Sequence, residues 1–382
     1  MNFDLTKEQK MIRNVMRDFA DKEVAPDADE RDKSGQFPKD IFKKLATLEM
    51  MGLPFPEKYG GGESDSVSFA IVVEELSKVC ASTGITYSAH ISLGAAPIYA
   101  FGTEKQKQEY LTPLCKGEYL GAFGLTEPNA GSDAGGTETT ATLNGDHWVI
   151  SGSKCYITNA SYANYLAITA VTDRSKGTNG ISAFIVPTHA KGFTVIDQYE
   201  KMGLHSSNTT ELILDSVIVP KENLLGVEGH GYKQFLATLD GGRIGIAAMA
   251  VGIAQGAYEK ALAYSKERKQ FGKRLSAFQA IQFKLADMAM NIEIARNMVY
   301  KTAWLKDEGR KFKKEAAIAK LFASEMCMRV CDQAIQIHGG YGYMKEYQVE
   351  RFFRDAKLLE IGEGTSEVQR MVIARQIGCE NK

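Results

Sequence analysis

Hydrophobic and polar positions follow two different periods along the 382-residue chain. In the first 120 residues, apolar positions recur every three or four residues, which is typical of helices that bury one face. Met11, Val15 and Phe19 fall on one side of such a helix, and Thr6 and Gln9 have the spacing of a capping box at its start. Residues 1–120 are therefore predicted to form an N-terminal helical domain.

The pattern changes between residues 121 and 235. Short runs rich in Val, Ile, Thr and aromatic residues, such as HWVISG, YLAITAVT, ISAFIVP and ELILDSVIVP, are separated there by Gly, Asn, Asp and Pro. Runs of this kind between turn residues predict strands. Several of them in succession predict a small sandwich or barrel, so we expect a central β domain over residues 121–235.

Helical spacing returns in residues 236–382. An apolar seam from Phe278 to Val299 alternates spacings of three and four residues, which predicts a long helix packed at a shallow angle in a bundle. A second long helix is predicted to end at Gly339 and Gly340. The expected fold class is therefore α+β and mostly α, with a helical domain, a small β domain and a C-terminal domain resembling a four-helix bundle.

Composition and charge exclude several functional classes. The net charge is −1, so the chain has no basic field for nucleic acid. We find no apolar run of 18 residues and therefore expect no membrane span. The polar start MNFDLTKEQK lacks the apolar segment of a secretory signal, so a cytoplasmic location is expected. Neither the six cysteines nor the six histidines show metal-site spacing, which predicts buried free thiols and no metal.

Four polar or glycine-rich stretches are candidates for ligand binding, and each also has an ordinary structural interpretation. GAFGLTEPNAGSDAGG (121–136) offers hydroxyl and backbone N–H groups to a phosphate or a polar ring edge, or is a plain loop. SGSKCYITNA (151–160) places Tyr156 and Thr158 on the same face of a strand. This face either contacts a flat cofactor or belongs to an ordinary half-buried strand. In DGGRIG (240–245), Arg243 pairs with an anion or with Asp240. KERKQFGKRL (266–275) is a basic turn whose side chains either bind a pyrophosphate or are simply exposed to solvent.

The stretch LEIGEGTSEVQ (359–369) places Glu363 between Gly362 and Gly364, just before a helix that a Ser366–Gln369 capping box is predicted to begin. A helix N-terminus favours the charged carboxylate, whereas burial favours the neutral acid. A base for a weakly acidic carbon works best when its pKa is raised from about 4.3 towards the working pH. The flanking glycines leave room for a ligand. Glu363 is therefore a candidate base, with a simple turn as the alternative.

Six stretches, in this order and at these distances, resemble acyl-CoA dehydrogenases, most of all the short-chain, butyryl-CoA type: FGLTEPNAGSD, KCYITN, ERKQFGKRL, FQAIQFKLADM, QIHGGYGY and EGTSEVQR. The likeness covers essentially the whole chain. It implies an FAD enzyme that removes two hydrogens from the α and β carbons of an acyl-CoA and passes electrons to electron-transfer flavoprotein. It also implies a homotetramer. An acyl-CoA oxidase, an enoyl-CoA reductase and a non-catalytic acyl-CoA-binding protein are the alternatives.

The resemblance also assigns roles to individual residues. Glu363 matches the base that takes the pro-R α-proton while the β-hydride moves to flavin N5. In the family, the backbone N–H of the base and a flavin ribityl hydroxyl polarise the thioester carbonyl. The positions implied for FAD, partly from a neighbouring subunit, are Phe123, Leu125, Thr126, Gly131, Ser132, Tyr156, Ile157, Thr158, Arg268, Phe271, Gln279, Gln336, Ile337, His338, Gly339, Gly340, Thr365, Ser366 and Glu367. The positions implied for the substrate are Ser132, Asp240, Arg243, Gly362 and Gly364.

Three positions depart from relatives. Tyr156 stands where the family often has Trp or Phe. Gly362 stands where relatives often have Tyr, and the missing ring should open space beside the reacting carbons, so a branched or cyclic acyl group is an option beside butyryl. Some relatives carry the base at the position of Gly242, which has no side chain here. Glu363 is thus the expected base.

Overall fold

The computed structural model describes residues 4–196 and 198–379, so the first residues of the polar N-terminal stretch lie outside the described residues. The elements run in the order helical, β, helical. The expected fold class is confirmed, and the domain boundaries after residues 120 and 235 stay predictions. The N-terminal helices are α1 (Lys7–Phe19), α2 (Ala28–Ser34), α3 (Lys39–Thr47), α4 (Ser66–Val79), α5 (Ala81–Ala89), α6 (Ala96–Phe101), α7 (Glu104–Gln106) and α8 (Thr112–Cys115).

Helix α1 begins with the predicted capping box. The Gln9 N–H donates to Thr6 Oγ1 at 3.1 Å, and the Thr6 N–H donates to Gln9 Oε1 at 3.0 Å. The predicted apolar face is wrong for Met11, which is 61% exposed, whereas Ile12 and Met16 are buried. Apolar residues occupy adjacent positions in this helix, and packing against α4 decides which set is covered.

The central strands are β1 (Leu120–Gly124), β2 (Thr140–Asn144), β3 (His147–Thr158), β4 (Ala163–Val171), β5 (Ile181–Pro187), β6 (Phe193–Val195), β7 (Thr209–Pro220) and β8 (Leu224–Leu225). Within the described residues they form one sheet in the order β6-β7-β3-β2-β4-β5-β8, and β1 pairs with β4 in parallel. Most of the other pairings are antiparallel. The sheet has its own apolar core, in which Trp148 packs against Phe184 with ring centroids 5.1 Å apart.

The C-terminal elements are α9 (Gly231–Glu267), β9 (Lys269–Gln270), β10 (Lys273–Arg274), α10 (Gln279–Asp307), α11 (Lys313–His338), α12 (Val349–Ala356) and α13 (Ser366–Gln376). Helix α9 packs against α4, α10 and α11, so the N-terminal and C-terminal helices share one core. The apolar seam of α10 is buried at Leu285, Met288, Ile292 and Val299, as its spacing predicts. Gly339 ends α11 with φ of +61°.

Helix α9 is, among the described residues, the one segment long and apolar enough to cross a membrane by length and composition. Its most apolar window is 72% buried inside the protein, which is typical of a core helix in a bundle. Phe235 on α9 stacks on Phe123 of β1 with ring centroids 4.1 Å apart. The start of the sheet is thereby fixed beside the helix that faces the candidate site.

Candidate active site

Glu363 lies in a tight turn between the short 3₁₀ segment Lys357–Glu360 and α13. The turn places Glu363 (φ +53°) and Gly364 (φ +96°) in left-handed conformations one after the other. Such a conformation costs a residue with a side chain about 1–3 kcal/mol, so the surrounding structure must hold it. The turn directs the Glu363 side chain towards α9.

Gly242 of α9 provides the space that the Glu363 carboxylate occupies. A Cβ atom built at Gly242 would collide with Glu363 Oε2, would lie 3.0 Å from Glu363 Cδ and would lie 3.2 Å from Leu93 Cδ2. A base at position 242 and a base at position 363 would therefore compete for the same place. The glycine at position 242 and the acid at position 363 therefore depend on each other, because the carboxylate fills the space that the glycine leaves free.

The Glu363 carboxylate is desolvated. Its Oε2 atom is buried and has no hydrogen-bond partner among the described residues. Burial raises the pKa of Glu363 from its ordinary value of 4.5 to about 7, although Lys320 and Arg243 oppose this by favouring the charged form. A carboxyl group with this pKa is ionised in part of the molecules at neutral pH, and its free oxygen accepts a proton.

The Asp240–Arg243 pair forms the neighbouring wall of the site. Arg243 Nη1 donates to Asp240 Oδ1 at 2.5 Å, and both side chains are largely buried. The Arg243 Nε atom is buried without a partner among the described residues. The sequence left open whether Arg243 pairs with an anion or with Asp240, and in the structure Arg243 pairs with Asp240. Arg243 also faces Glu363, whose charge it favours.

The predicted Ser366–Gln369 capping box is wrong. Thr365 is the N-cap of α13, and its Oγ1 accepts from the Val368 N–H at 3.3 Å. The Gln369 side chain instead donates to the Gly364 carbonyl at 2.8 Å and to the Glu363 carbonyl at 3.3 Å. Gln369 therefore stabilises the Glu363 turn.

Lys320 of α11 is a second supporting residue that sequence reasoning missed. Its side chain is 0% exposed, and its Nζ atom donates to the Gly364 carbonyl at 2.8 Å. It precedes its partner by 44 residues, so no local sequence pattern connects the two.

The loop of the first candidate stretch is anchored by a buried ion pair. Lys154 Nζ donates to Glu127 Oε1 at 2.6 Å, and both side chains are buried. The Glu127 carboxylate also accepts from the Glu138 N–H at 2.6 Å. The Cys155 N–H donates to the Thr126 carbonyl at 2.9 Å, so the loop after β1 is held directly against β3.

The predicted alternation at Tyr156 and Thr158 is broken by a bulge. The register between β3 and β7 shifts between Lys154 and Ile157, and Tyr156 takes φ of +59°. Its ring is 66% exposed and lies 5.2 Å from the ring of Tyr199. A bulge re-aims side chains near a functional site, and it explains why a simple period of two fails here.

A second group of candidate residues lines a surface cavity of about 570 Å³ at the far end of α11. Its lining includes Arg268 and the segment Gln336–Gly340, whereas Phe271 lies outside that lining at the tip of the β9–β10 hairpin and is 91% exposed. Along α11, the distance from Lys320 to His338 is about 27 Å. The cavity at the end of this helix is therefore well separated from the Glu363 turn.

The cysteines are free thiols, and the predicted burial is wrong for Cys379. Five of them are buried free thiols and Cys379 is exposed. Cys327 and Cys331 have sulfur atoms 4.0 Å apart on one face of α11. Across residues 4–196 and 198–379, no group of three or more His, Cys, Asp or Glu side chains is arranged to hold a metal ion.

The polar groups near Glu363 suit a dinucleotide cofactor with a pyrophosphate. Ser366 Oγ, in the first turn of α13, is buried and has no hydrogen-bond partner within the described part of the chain. A helix N-terminus binds anions through its free N–H groups. The start of α13 therefore fits the diphosphate of FAD. In the loop after β1, a Cβ atom at Gly131 would meet nothing within 4 Å, so this backbone is not covered by other parts of the chain.

The chain is similar to known proteins along nearly its whole length. Models of the N-terminal, middle and C-terminal domains of acyl-CoA dehydrogenases match residues 6–118, 122–217 and 229–378. The chain is 64% identical to a probable acyl-CoA dehydrogenase of Bacillus subtilis (strain 168), over 99% of this chain and 100% of the relative.

Two solved structures are similar over nearly their whole length. Butyryl-CoA dehydrogenase from Megasphaera elsdenii has a TM-score of 0.97 and 51% identity, over 99% of this chain and 100% of that chain. A structure described as the electron-transferring flavoprotein of Acidaminococcus fermentans has a TM-score of 0.98 and 50% identity, over 100% of both chains. The chain therefore belongs to the acyl-CoA dehydrogenase family, whose members are FAD-dependent oxidoreductases acting on CH–CH bonds.

Proposed function

We propose that this protein dehydrogenates a short-chain acyl-CoA to the trans-2-enoyl-CoA, with Glu363 as the base that removes the α-proton. The buried Oε2 atom of Glu363 carries this proposal, because it has no partner among the described residues and its carboxyl group has a pKa raised to about 7. Gly242 leaves room for this carboxylate on the face of α9, and Gly362 and Gly364 flank Glu363 in the turn without side chains of their own.

The carboxylate of Glu363 accepts the α-proton, and the electron pair of that C–H bond becomes part of the new carbon–carbon double bond. When bound, FAD supplies the acceptor for the hydride that leaves the β carbon. The backbone N–H of Glu363 donates to the thioester carbonyl, which makes the α-proton more acidic. Closure of the site against water keeps the carboxylate desolvated and therefore basic.

The residues proposed to hold FAD form three groups. Phe123–Ser132 and Tyr156–Thr158 would hold the flavin ring, with Thr126 as a hydrogen-bonding residue. Thr365–Glu367 at the start of α13 bind the diphosphate, where helix N–H groups favour anions. The third group, which would hold the adenosine part and the phosphates of FAD partly from a neighbouring subunit, comprises Arg268, Phe271, Gln279 and Gln336–Gly340.

A homotetramer is proposed as the assembly in which the FAD site is shared between subunits. The position of the Arg268 and Gln336–Gly340 cavity, at the end of α11 away from Glu363, supports a contribution to another subunit's cofactor. Exposed apolar residues on α10, namely Phe283, Met290 and Ile294, and the exposed Phe271 support a subunit interface at this end. The cytoplasmic location stays a prediction.

The acyl group is proposed to be short and, beside butyryl, branched or cyclic. A Cβ atom at Gly362 would make only ordinary contacts, the nearest being 3.5 Å to the Leu358 carbonyl oxygen. The backbone at this position therefore tolerates a side chain, and we propose that its absence leaves space for the acyl group. Ser132, Asp240, Arg243, Gly362 and Gly364 are proposed to line the acyl-CoA site.

Electron-transfer flavoprotein is the proposed electron acceptor, because a similar solved structure is described by that name. Anaerobic mixing of the purified enzyme with butyryl-, isobutyryl- and cyclohexanecarbonyl-CoA tests the proposed reaction through bleaching of the flavin absorbance. We expect bleaching and subsequent electron transfer to electron-transfer flavoprotein. Peroxide formation as the main outcome would indicate an oxidase. Preferential reduction of enoyl-CoA would indicate a reductase, and a purified protein without colour would indicate a non-catalytic acyl-CoA-binding protein.

A further inference from the structure

Lys320 occupies a position that is costly for a lysine. It projects from α11 beneath the Glu363 turn, it is 0% exposed, and burial lowers the pKa of its ammonium group to about 8. Removal of an ammonium group from water is unfavourable unless an interaction compensates for it. An apolar residue of similar length would avoid this cost, so the presence of a lysine at this position indicates that its ammonium group has a role.

The hydrogen bond made by Lys320 acts on the backbone of the catalytic turn. Its Nζ atom donates to the Gly364 carbonyl at 2.8 Å, and Gln369 Nε2 donates to the same oxygen at 2.8 Å. This carbonyl belongs to the residue after Glu363, and both residues take positive φ. Gln369 Nε2 also donates to the Glu363 carbonyl at 3.3 Å, so the two side chains together hold the turn from which the Glu363 carboxylate extends towards Gly242.

The charge of Lys320 acts on the same carboxylate. Glu363 is faced by two cations, Lys320 from α11 and Arg243 from α9. Lys320 is itself faced by Glu363, Arg243, Glu360 and Glu367. Asp240 is paired with Arg243, so part of the charge of that guanidinium is already balanced. Lys320 has no such carboxylate hydrogen bond among the described residues, and its cation is available to Glu363.

We propose that Lys320 is a positioning residue for the dehydrogenation: its bond to the Gly364 carbonyl fixes the left-handed turn of Glu363, and its buried charge favours the ionised carboxylate. This inference rests on the proposed function, in which Glu363 is the base. Lys320 acts through Glu363 and makes no contact with the reacting atoms. It sets both the direction of the base and the pH at which the base is available.

Three variants of the FAD-bound enzyme separate charge from hydrogen bonding. Lys320→Met removes both, Lys320→Gln keeps a donor without charge, and Lys320→Arg keeps the charge. The pH dependence of anaerobic flavin bleaching by butyryl-CoA is the readout, with bound flavin measured by its absorbance. In the Met and Gln variants we expect the rising limb of the pH profile to move up by about one pH unit, because Arg243 still faces Glu363.

The Arg variant should keep its limb near that of the unmodified enzyme. The Met variant should also lose about tenfold or more of its plateau rate, because the turn is no longer fixed. Lys78→Met is the matched control, since Lys78 is a largely buried lysine that pairs with Glu259 on another part of the bundle. It should leave the profile unchanged. If the Met variant does not fold, the Gln variant carries the same test of charge.

An unmoved limb in both the Met and Gln variants would overturn the proposal, even if their rates fall evenly at all pH values. The failure of the proposed function has a different signature. If Glu363→Gln is still bleached rapidly by substrate, Glu363 is not the base and the role of Lys320 falls with it. If Glu363→Gln is inert while the limb of the Lys320 variants is unmoved, only the inference about Lys320 fails.

Discussion

The carboxylate of Glu363 occupies the place where a side chain at Gly242 would stand, with Glu363 Cδ only 3.0 Å from that position. The two residues belong to different elements, the turn before α13 and the interior of α9. Their packing means that the base has its direction only as long as position 242 has no side chain.

Gly242→Ala should therefore reduce flavin bleaching by about 100-fold, because a displacement of roughly 1 Å at a catalytic group has costs of this size. FAD should remain bound, since the change is directed at Glu363. Gly241→Ala is the control, because its Cβ would meet nothing closer than Lys306 Nζ at 3.9 Å. Equal rates in the two variants would contradict the packing argument.

The activity should rise with pH around neutrality. Burial raises the pKa of Glu363 to about 7, and the base is active when ionised. The value of kcat/KM for butyryl-CoA is thus expected to increase through about pH 7 and to level off above it. At pH 6 it should be roughly one-tenth of the plateau. A profile that is flat between pH 5.5 and 8.5 would be incompatible with a base in this environment.

The same pKa predicts a pH-dependent cost to stability. The ordinary pKa of glutamate is 4.5 and the folded value is about 7, so the folded protein binds the proton more tightly than the unfolded chain. The cost is full above about pH 7 and vanishes below about pH 4.5. Glu363→Gln should therefore be more stable than the unmodified protein by about 1–3 kcal/mol at pH 8. In denaturant titrations, this difference in the free energy of unfolding should be smaller at pH 5 than at pH 8. A difference that is larger at pH 5 would contradict a raised pKa for Glu363.

The acyl preference should depend on position 362. A Cβ atom at position 362 would meet Leu358 at ordinary distances only, so we expect Gly362→Tyr to fold and to bind FAD. We expect the rate with isobutyryl- and cyclohexanecarbonyl-CoA to fall by about tenfold or more relative to butyryl-CoA. A strong preference of the unmodified enzyme for linear butyryl-CoA would refute the proposed role of Gly362.

The Lys154–Glu127 pair should be necessary for stability and for FAD retention. Lys154→Met leaves the buried Glu127 without its cation, and breaking such a pair costs about 3–5 kcal/mol. The loop between Thr126 and Ser132 is attached to β3 beside this pair, so FAD content should fall as well. Lys176→Met removes the partner of Asp173 in an exposed pair and is expected to change neither quantity measurably.

Much of the fold could be predicted from sequence because local patterns carry it. The seam of α10, the Thr6–Gln9 capping box and the glycine end of α11 each depend on residues within a few turns of one another. The predicted Met11 face fails because burial is decided by a partner helix distant in sequence.

The residues that hold the Glu363 turn and the neighbouring strands in place could not be predicted in the same way. The bulge at Tyr156 arises from the pairing of β3 with β7, and Lys320 reaches its partner across 44 residues. Gln369 has the spacing of a capping-box residue, yet its amide serves the Glu363 turn because Thr365 takes the N-cap. The acid between two glycines was visible in the sequence, whereas the groups that hold and tune it depend on tertiary packing.

The central claim, that Glu363 is the α-proton base, is tested most directly by anaerobic flavin bleaching in Glu363→Gln. The control is Glu360→Gln, whose carboxylate pairs with Lys357 in the preceding turn. We expect both variants to retain FAD. Butyryl-CoA should bleach the Glu360 variant at nearly the unmodified rate and leave the Glu363 variant oxidised. Bleaching of the Glu363 variant at close to the unmodified rate would contradict the role of Glu363 as the base.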